Sequence, residues 1–233
     1  MAEQKGEDVW LNVATWEERT VVNGPGERFV LWVQGCPFRC PGCFNQDYLP
    51  FIKGHSFRVG EFAEIVMSVP GIEGVTYSGG EPMAQAKGLF HLSHALRASG
   101  LTVVCYSGYT LRELEKMPDP WVARLISTLD VLIDGRYDQR QGANLSWRGS
   151  SNQHVHFLTN VYEHLAAQIN RRRSEIEFII GANGFVSTGI LNEHLLKRLE
   201  EVLNELGDEE PSPPLKIDNR TRDRGVSSKE DIA

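Results

Sequence analysis

Short apolar runs, each closed by a residue typical of turns, recur along the first 181 residues. Runs of this length, rich in Val, Ile, Leu and aromatic residues and bounded by turn signals, predict buried β-strands. The six predicted strands are residues 28–35, 74–80, 101–108, 130–135, 154–159 and 175–181.

Segments between and after these runs repeat apolar residues every three or four positions, which predicts helices with one buried face. The predicted buried faces consist of Val59, Phe62, Ile65, Val66 and Val69, of Leu89, Leu92 and Leu96, and of Leu195, Leu196, Leu199 and Leu203. Alternating strands and helices favour an α/β fold with a mainly parallel sheet and right-handed crossovers. About six such strands form either an open barrel or a doubly wound sheet, and periodicity leaves both open.

One folded domain is expected, because 233 residues suffice for one substantial core and not for two. We assign residues 1–206 to it. From residue 207 the chain becomes rich in Pro, Ser and charged residues, and this segment, 207–233, is predicted to be a disordered tail.

The overall charge excludes some classes of partner. The formal net charge of −7 gives no global positive field for nucleic acid or an anionic membrane. The N-terminal residues lack the pattern of a secretory leader, and no stretch approaches the roughly 18 apolar residues of a membrane span. We therefore expect a cytoplasmic protein without nucleic-acid or membrane partners. Cysteines in that compartment stay reduced and serve as metal ligands or redox groups.

The turns that follow the predicted strands carry most of the reactive side chains. Cysteines follow the first strand, Gly79, Gly80 and Glu81 the second, Ser107 and Gly108 the third, and Asp134 and Gly135 the fourth. The carboxyl ends of parallel strands share one edge of a sheet, where such folds build their sites. Motifs 100 residues apart in sequence are therefore expected to converge.

Three of the four cysteines, Cys36, Cys40 and Cys43, lie within eight positions. Thiolates suit zinc and iron–sulfur clusters, and a purely structural site normally takes four protein ligands. Three thiolates leave one coordination position open for another molecule. Cys105 lies inside an apolar run and suits a buried small side chain. A zinc-binding module remains an alternative, as does a dithiol redox pair of Cys40 and Cys43, although that pair leaves Cys36 unexplained.

The spacing Cys36-x-x-x-Cys40-x-x-Cys43 resembles the signature of the radical S-adenosylmethionine superfamily. The stretch NGPGERFVLWVQGCPFRCPGCFNQD, residues 23–47, resembles the opening of the glycyl-radical-enzyme activases. YSGGEPM is similar to the Gly-Gly-Glu-Pro segment of the superfamily. SGYT, DVLIDGRYD and RGSSNQ resemble the branch that activates anaerobic ribonucleotide reductases.

The resemblance implies a partial, open β/α barrel of the radical S-adenosylmethionine type. It implies that Cys36, Cys40 and Cys43 hold one 4Fe–4S cluster, whose fourth iron takes the amino and carboxylate groups of S-adenosylmethionine. It further implies reductive cleavage to a 5′-deoxyadenosyl radical, which abstracts hydrogen from a glycine of anaerobic ribonucleoside-triphosphate reductase. A low-potential donor such as flavodoxin or ferredoxin is expected to supply the electron. Activation of another glycyl radical enzyme, or modification of a peptide, is the alternative within this chemistry.

The resemblance also assigns a methionine-binding role to Gly79, Gly80 and Glu81. Glycines lack a Cβ and let a ligand approach the backbone closely, while Glu81 is placed to accept from an ammonium group. The alternative is an ordinary strand-to-helix turn, with Glu81 in the first turn and Pro82 opening the helix.

Gly42 stands where many superfamily members carry an aromatic residue over which the adenine sits. We nominate Phe44 and the backbone of Gly42 and Cys43 as substitutes, with core packing as the alternative for Phe44. Asn45 and Asp47 are expected to cap the loop.

Asp134, Gly135 and Arg136 are candidates for contact with the ribose or with the sulfonium side of the ligand. The alternative is an Asp-Gly turn followed by a solvated Arg. The segment RGSSNQ, residues 148–153, rests on likeness alone and receives no chemical role. A place on the partner-docking surface is one interpretation of it.

Overall fold

The computed structural model describes residues 9–171, 175–181, 184–190, 198 and 201. The strands are β1 Trp10–Thr20, β2 Arg28–Val33, β3 His55–Arg58, β4 Gly74–Gly79, β5 Thr102–Ser107, β6 Val131–Asp134, β7 Gly142–Leu145, β8 Arg148–Ser150, β9 His154–Phe157, β10 Ile176–Gly181 and β11 Gly184–Gly189. The α-helices are α1 Val59–Met67, α2 Ala86–Ala98, α3 Leu111–Leu114 and α4 Pro120–Ile126. Shorter 3-10 helices span Gln46–Tyr48, Pro82–Gln85, Gln139–Gln141 and Asn160–Leu165.

A seven-stranded sheet with the order β3-β1-β2-β4-β5-β6-β9 organises the molecule. Its four central strands, β2, β4, β5 and β6, run parallel, whereas β1 and β9 pair antiparallel with their neighbours. β7 pairs with β8 and β10 with β11 in separate two-stranded sheets. The predicted mixed α/β fold around a mainly parallel sheet is confirmed.

Two of the six predicted strands are not parallel members of the central sheet. β9 is antiparallel to β6, and β10 pairs with β11 instead of joining the central sheet. A parallel neighbour needs a long crossover, usually a helix. Between β6 and β9 the chain forms only a 3-10 turn and the β7–β8 hairpin, so β9 returns antiparallel.

The longest strand, β1, was not predicted. Its first half alternates buried Leu11 and Val13 with more exposed residues, but its second half carries Glu17, Glu18 and Arg19. The register with β2 shifts between Val13 and Thr15, which breaks the two-residue period further. A half-polar, irregular strand gives a weak sequence signal.

The predicted helix faces of α1 and α2 cover one face of the sheet. Phe62, Val66, Leu89, Leu92 and Leu96 are fully buried against strand residues. Each such side chain contributes roughly 1.5–3 kcal/mol when removed from water. α4 extends this layer with Val122 and Leu125.

The opposite face of the sheet is covered differently. A smaller apolar cluster there contains Val104, Val131, Ile133, Trp147 and Tyr162. No helix among α1–α4 packs in this cluster, and loops, the β7–β8 hairpin and a 3-10 helix cover it instead. Room therefore remains on this face near the carboxyl ends of the parallel strands.

The predicted helix that contains Leu195, Leu196, Leu199 and Leu203 lies outside the described residues, as does the predicted tail 207–233. Within the described part of the chain, every helix is too short or too polar to cross a bilayer.

Candidate functional site

The three clustered cysteines lie on a loop that leaves the carboxyl end of β2. Backbone hydrogen bonds close this loop on itself, from Gly35 N to Tyr48 O (2.8 Å) and from Cys36 N to Leu49 O (2.9 Å). Cys36 is buried, whereas Cys40 and Cys43 are partly exposed, and all three are free thiols. The cysteine loop, residues 34–50, is therefore a closed structure with its sulfur atoms at one edge of the sheet.

Backbone amides face two of the sulfur atoms. The Phe38 N–H donates to Cys36 Sγ at 3.4 Å, and the Asn45 N–H hydrogen-bonds the Cys43 sulfur. Burial raises the pKa of the Cys36 thiol to about 11 and also raises the pKa of Cys43. A bound metal deprotonates a coordinating thiol outright. The amide donors then stabilise the thiolates that result.

The donor set is three thiols, and thiolates suit an iron–sulfur cluster as well as zinc. Within the residues that the structure describes, no three His, Cys, Asp or Glu side chains are grouped closely enough to hold one metal ion. Zinc requires its ligands to converge at about 2.3 Å from one centre. Cluster thiolates each bind a different iron, so three separated thiols are compatible with a cluster.

Cys105 is not part of this site. It is fully buried on β5, where its Sγ donates to Tyr106 O at 3.3 Å, and it does not line the cavity beside the loop. Its predicted role as a small buried side chain is confirmed.

A cavity of about 910 Å³ opens beside the cysteine loop. Binding pockets for small ligands occupy about 300–1,000 Å³. The residues that line it include most of the predicted site: Cys36, Cys40, Gly42, Cys43, Phe44, Gly79, Gly80, Glu81, Gly135 and Arg136. The expectation that distant motifs converge at the carboxyl edge of the parallel strands is confirmed.

Gly79 and Gly80 are required by the chain's own backbone. Gly79 has φ +100°, and a Cβ there would lie 2.6 Å from Val33 N. A Cβ at Gly80 would lie 2.2 Å from Gly35 O. Gly80 N donates to Val33 O at 2.8 Å. The end of β2 and the start of the cysteine loop therefore pack closely against these two glycines.

Glu81 is buried and ties two strand ends together. Its Oε1 accepts from Met83 N (2.9 Å) and from Ser107 Oγ (3.0 Å), and its Oε2 accepts from Gly108 N (2.8 Å). Burial raises the pKa of Glu81 to about 7, and these three donors act in the opposite direction. The strand-to-helix turn, which was the alternative interpretation of this segment, is present, with Glu81 as N-cap and Pro82 in the first turn.

The segment SGYT, residues 107–110, links this turn to α3. Ser107 Oγ accepts from Tyr109 N at 3.1 Å while it donates to Glu81. Thr110 and Glu113 form a capping box at the start of α3. The motif therefore fixes the carboxyl end of β5 beside Glu81.

Gly42 and Phe44 face the cavity from the cysteine loop. Gly42 has φ +71°, and a Cβ there would lie 2.9 Å from the Gln139 side chain. The Phe44 ring lies 5.0 Å from the Tyr137 ring, centroid to centroid. Asn45 Nδ2 donates to Gly79 O at 3.3 Å and so joins the loop to β4.

Asp134 is the one predicted ligand-binding residue that does not line the cavity. Its Oδ2 accepts from Leu111 N at 2.6 Å and lies 2.9 Å from His156 Nε2. Burial acts to raise the pKa of Asp134, but the interactions with His156 and Leu111 outweigh it, and the pKa is lowered. Asp134 therefore joins α3, β6 and β9.

Arg136 extends from the turn after β6 to the cysteine loop. Its guanidinium carbon lies 4.3 Å from the centroid of the Phe38 ring, within cation–π distance. The Phe38 ring also contacts Tyr109 at a centroid distance of 4.6 Å. A cation thus lies at the wall of the cavity beside the loop that carries Cys36.

The segment RGSSNQ holds this turn in place. Gln153 Oε1 accepts from Gly149 N (2.9 Å) and Ser150 N (3.2 Å), while its Nε2 donates to Gly135 O (3.0 Å). Asn152 Nδ2 donates to Arg136 O at 2.8 Å. These contacts give the segment the role that sequence alone did not supply: it joins β8 to the turn after β6.

Several aromatic residues that line the cavity were not predicted. Trp32 and Tyr106 lie near the ends of β2 and β5 on the face that helices leave open, and Trp147 and Tyr137 come from the hairpin region. Alternation along the strands was the available signal for Trp32 and Tyr106. The other two depend on loop conformation, for which the sequence offers no periodic signal.

Comparison with known proteins connects this geometry to a family. A family model described as a 4Fe-4S single cluster domain matches residues 22–156. The anaerobic ribonucleoside-triphosphate reductase-activating protein of Vibrio cholerae is 34% identical over 148 residues, which cover 60% of this chain and 93% of that protein. The protein of the same name from Escherichia coli K12 is 33% identical over 59% of this chain and 93% of its own length.

Among solved structures, QueE from Escherichia coli aligns with a TM-score of 0.37 and 14% identity, over 43% of this chain and 54% of that chain. A likeness of this size is no evidence of a shared activity. The family model, the two relatives and the three-thiol loop at the edge of the cavity agree with one another. The chain belongs to the family of anaerobic ribonucleoside-triphosphate reductase-activating proteins and carries its 4Fe-4S single cluster domain.

Proposed function

We propose that this protein is a radical S-adenosylmethionine activase of anaerobic ribonucleoside-triphosphate reductase. The observation that carries the proposal is the closed three-cysteine loop, which faces a cavity of about 910 Å³ at the carboxyl edge of four parallel strands. The relatives' names supply the reductase as partner. On the same observations, we propose that the central sheet forms the partial barrel expected for such enzymes.

Cys36, Cys40 and Cys43 would hold the cluster, and the cavity would hold S-adenosylmethionine. When bound, the reduced cluster supplies the electron that splits S-adenosylmethionine into methionine and a 5′-deoxyadenosyl radical. The protein's part is to bind and orient the cofactors and to exclude water. With both cofactors bound, this chemistry would remove a hydrogen atom from a glycine Cα of the reductase and leave the unpaired electron on that glycine.

Different residues around the cavity would bind different parts of the ligand. A carboxylate offers about four acceptor positions. Three of those on Glu81 are occupied by the chain, so one remains for an N–H of the ligand's amino group. Gly79 and Gly80 offer backbone next to it. Phe44 and the backbone of Gly42 and Cys43 would face the adenine.

On the other wall, Gly135 would meet the ribose, and the charge of Arg136 decides which part of the ligand it would contact. Arg136 is exposed and stacks on Phe38. A cation there would attract the ligand's carboxylate and disfavour the sulfonium, so we favour the carboxylate as its partner. Asp134, whose carboxylate is turned to Leu111 and His156, would act by holding the turn.

The test is anaerobic reconstitution with iron and sulfide, followed by incubation with S-adenosylmethionine, a reductant and the reductase. The proposal predicts a glycyl doublet in the electron paramagnetic resonance spectrum of the reductase. An intact cluster that forms 5′-deoxyadenosine but produces no doublet rejects the reductase as partner. Activation of another glycyl radical enzyme, or of a peptide, is then tested with those substrates in place of the reductase.

Metal analysis separates the cluster from the zinc module. About four irons and four acid-labile sulfides per chain support the proposal. Zinc without sulfide supports the zinc-binding alternative, and thiols that cycle as a disulfide without any metal support the dithiol alternative.

A further inference from the structure

Three large apolar side chains are exposed next to the cysteine loop. Phe51 is 67% exposed, Ile52 60% and Trp10 53%. We call these three residues the apolar patch. A shallow groove of about 260 Å³ beside it is lined by Phe51 and Trp10 together with other residues of β1 and the end of the 82–85 helix. The patch does not line the ligand cavity.

Side-chain amides hold the exposed segment in one conformation. Asn12 Nδ2 donates to Ile52 O (2.9 Å), and Asn12 Oδ1 accepts from Gly54 N (2.7 Å). Gln34 Nε2 donates to Pro50 O at 2.8 Å. Gln85 in turn joins Asn12 to Gln34 through its own Nε2. The apolar side chains are thus presented outward by a network that keeps them from folding inward, which lowers the entropic cost of binding.

The patch is continuous with the loop that carries the cluster ligands. The Phe51 ring lies against Gly35, where an added Cβ would be only 2.7 Å from the ring. Gly35 precedes Cys36, whose backbone N–H donates to Leu49 O at 2.9 Å. A molecule bound on Phe51 would therefore lie next to Gly35, the residue that precedes the proposed cluster ligand Cys36, on the outer side of the loop.

The charge around the patch differs from that of the whole chain. Residues 34–61 contain three cations, Arg39, Lys53 and Arg58, and two carboxylates, Asp47 and Glu61, of which Glu61 accepts a hydrogen bond from Arg58 N. All five are exposed, and Arg58 stacks on the Trp10 ring at 5.4 Å. The chain as a whole has a formal net charge of −7. An apolar centre with a basic rim is complementary to an acidic partner.

We propose that the apolar patch is the docking surface for the protein's electron donor, an acidic one-electron carrier of low potential. This inference rests on the proposed function, which requires a reductant. The cavity must admit S-adenosylmethionine and the reductase's glycine, so the electron enters from the outer side of the loop. One electron passes from the reduced carrier to the cluster held by the loop, and no bond is made or broken. Electron-transfer encounters use small interfaces, below about 1,200 Å².

The main experiment compares two reductants on the double variant Phe51→Ser/Ile52→Ser. Reduced flavodoxin is the protein donor, and dithionite, which needs no docking surface, is the chemical donor. With sub-saturating flavodoxin we expect the rate of 5′-deoxyadenosine formation to fall at least about tenfold, as for the loss of an interface hot spot. With dithionite the rate and the iron content should stay within about twofold of the wild type.

Binding without turnover gives a second readout. Titration of the protein with flavodoxin should show a dissociation constant at least about tenfold weaker for the double variant. Lys53→Glu should also weaken binding, and binding to the wild type should weaken with added salt because the rim charges are exposed.

Val161→Ser is the matched control. Val161 is also an exposed apolar residue, at 47%, but it lies next to Tyr162, whose hydroxyl contacts Arg28 at the opposite edge of the sheet. This variant should behave as the wild type with both reductants.

Five results would overturn the assignment. Four are equal loss with both donors, no loss with flavodoxin, absence of flavodoxin binding to the wild type, and a wild-type dimer that the double variant converts to a monomer, which would assign the patch to a second copy. The fifth is loss of the glycyl doublet while dithionite-driven 5′-deoxyadenosine formation is retained, which would assign the patch to the reductase. A wild type that forms no 5′-deoxyadenosine with either reductant rejects the proposed function itself.

Discussion

The two edges of the parallel sheet differ in the burial of their charged side chains. At the amino-terminal edge, Arg28 is completely buried, and its guanidinium donates to chain oxygens of Pro25, Val75 and Thr102 and to the hydroxyls of Thr76, Thr102 and Tyr162. At the carboxyl-terminal edge, Arg136 is exposed and stacks on Phe38 beside a large cavity. The amino-terminal edge is packed and internally hydrogen-bonded, whereas the carboxyl-terminal edge leaves a cavity and hydrogen-bond donors for ligands.

The difference teaches where substitutions should affect stability and where they should affect chemistry. A buried, fully hydrogen-bonded cation is costly to disturb and offers nothing to a ligand. The carboxyl edge is built from glycines and loop residues that surround a cavity. We therefore expect changes at the amino edge to lower the free energy of unfolding, and changes at the carboxyl edge to lower activity.

The largest effect is expected at the three loop cysteines. Cys36→Ala, Cys40→Ala or Cys43→Ala should abolish cluster binding and 5′-deoxyadenosine formation, because each removes one of only three thiolates. Iron analysis and chromatography of the nucleoside products measure both. Cys105→Ala is the control: it should keep the iron and the activity, since Cys105 lies apart from the cavity on β5. Iron retained in all three loop variants would contradict the ligand assignment.

At the amino edge, Arg28→Met should lower the free energy of unfolding by roughly 3–5 kcal/mol, because several buried acceptors lose a charged donor. Urea unfolding of the metal-free chain measures this. The comparison variant Arg19→Met removes an exposed ion pair with Glu27 and should cost no more than about 1 kcal/mol. Equal losses for the two variants would remove the contrast between the edges.

The buried carboxylate of Glu81 makes the carboxyl edge sensitive to pH. Its pKa in the folded chain is raised from 4.5 to about 7, so the folded state binds more protons than the unfolded state between these values. The Glu81 contribution to the free energy of unfolding should therefore decline from pH 4.5 to pH 7 and stay constant above. The decline is at most about 3 kcal/mol.

Glu81→Gln removes the titrating group and tests this directly. The difference in free energy of unfolding, variant minus wild type, should become more positive from pH 5 to pH 7 and then level off. Urea unfolding of both metal-free proteins at several pH values provides the curve. A difference that stays flat over this range would show that burial does not raise the Glu81 pKa.

The smallest effect is expected at Gln153. Gln153→Leu removes the contacts to Gly135, Gly149 and Ser150, and should lower the free energy of unfolding by about 1–2 kcal/mol. Because the turn that carries Arg136 is then less firmly held, we expect the KM for S-adenosylmethionine to rise more than kcat falls. Ser151→Ala, at an exposed neighbour, should change neither. A fall in kcat with an unchanged KM would contradict the positioning role.

The sequence was sufficient for the parts of the molecule that have a period or a fixed direction. The first four predicted strands correspond to β2, β4, β5 and β6, because apolar runs closed by turn residues are reliable signals. The convergence of the cysteines with Gly79, Gly80, Glu81 and Gly135 followed from the shared edge of parallel strands.

The remaining features depend on contacts that no local pattern encodes. An apolar run does not indicate the direction of its strand, so the antiparallel orientation of β9 was not predicted. Asp134 turns from the cavity because Leu111 and His156 bind it, and both are distant in sequence. Gly79 and Gly80 were singled out from the sequence, but the packing of the β2 end and the cysteine loop against them depends on the folded chain.

The central claim is that three thiolates at the open edge hold a cluster with one iron free for S-adenosylmethionine. The most direct test is the electron paramagnetic resonance spectrum of the reconstituted, reduced protein before and after addition of S-adenosylmethionine. We predict that the cluster signal changes with one equivalent of the nucleotide, since the ligand binds to the cluster itself. A full complement of iron and sulfide with a signal that S-adenosylmethionine leaves unchanged would contradict the account.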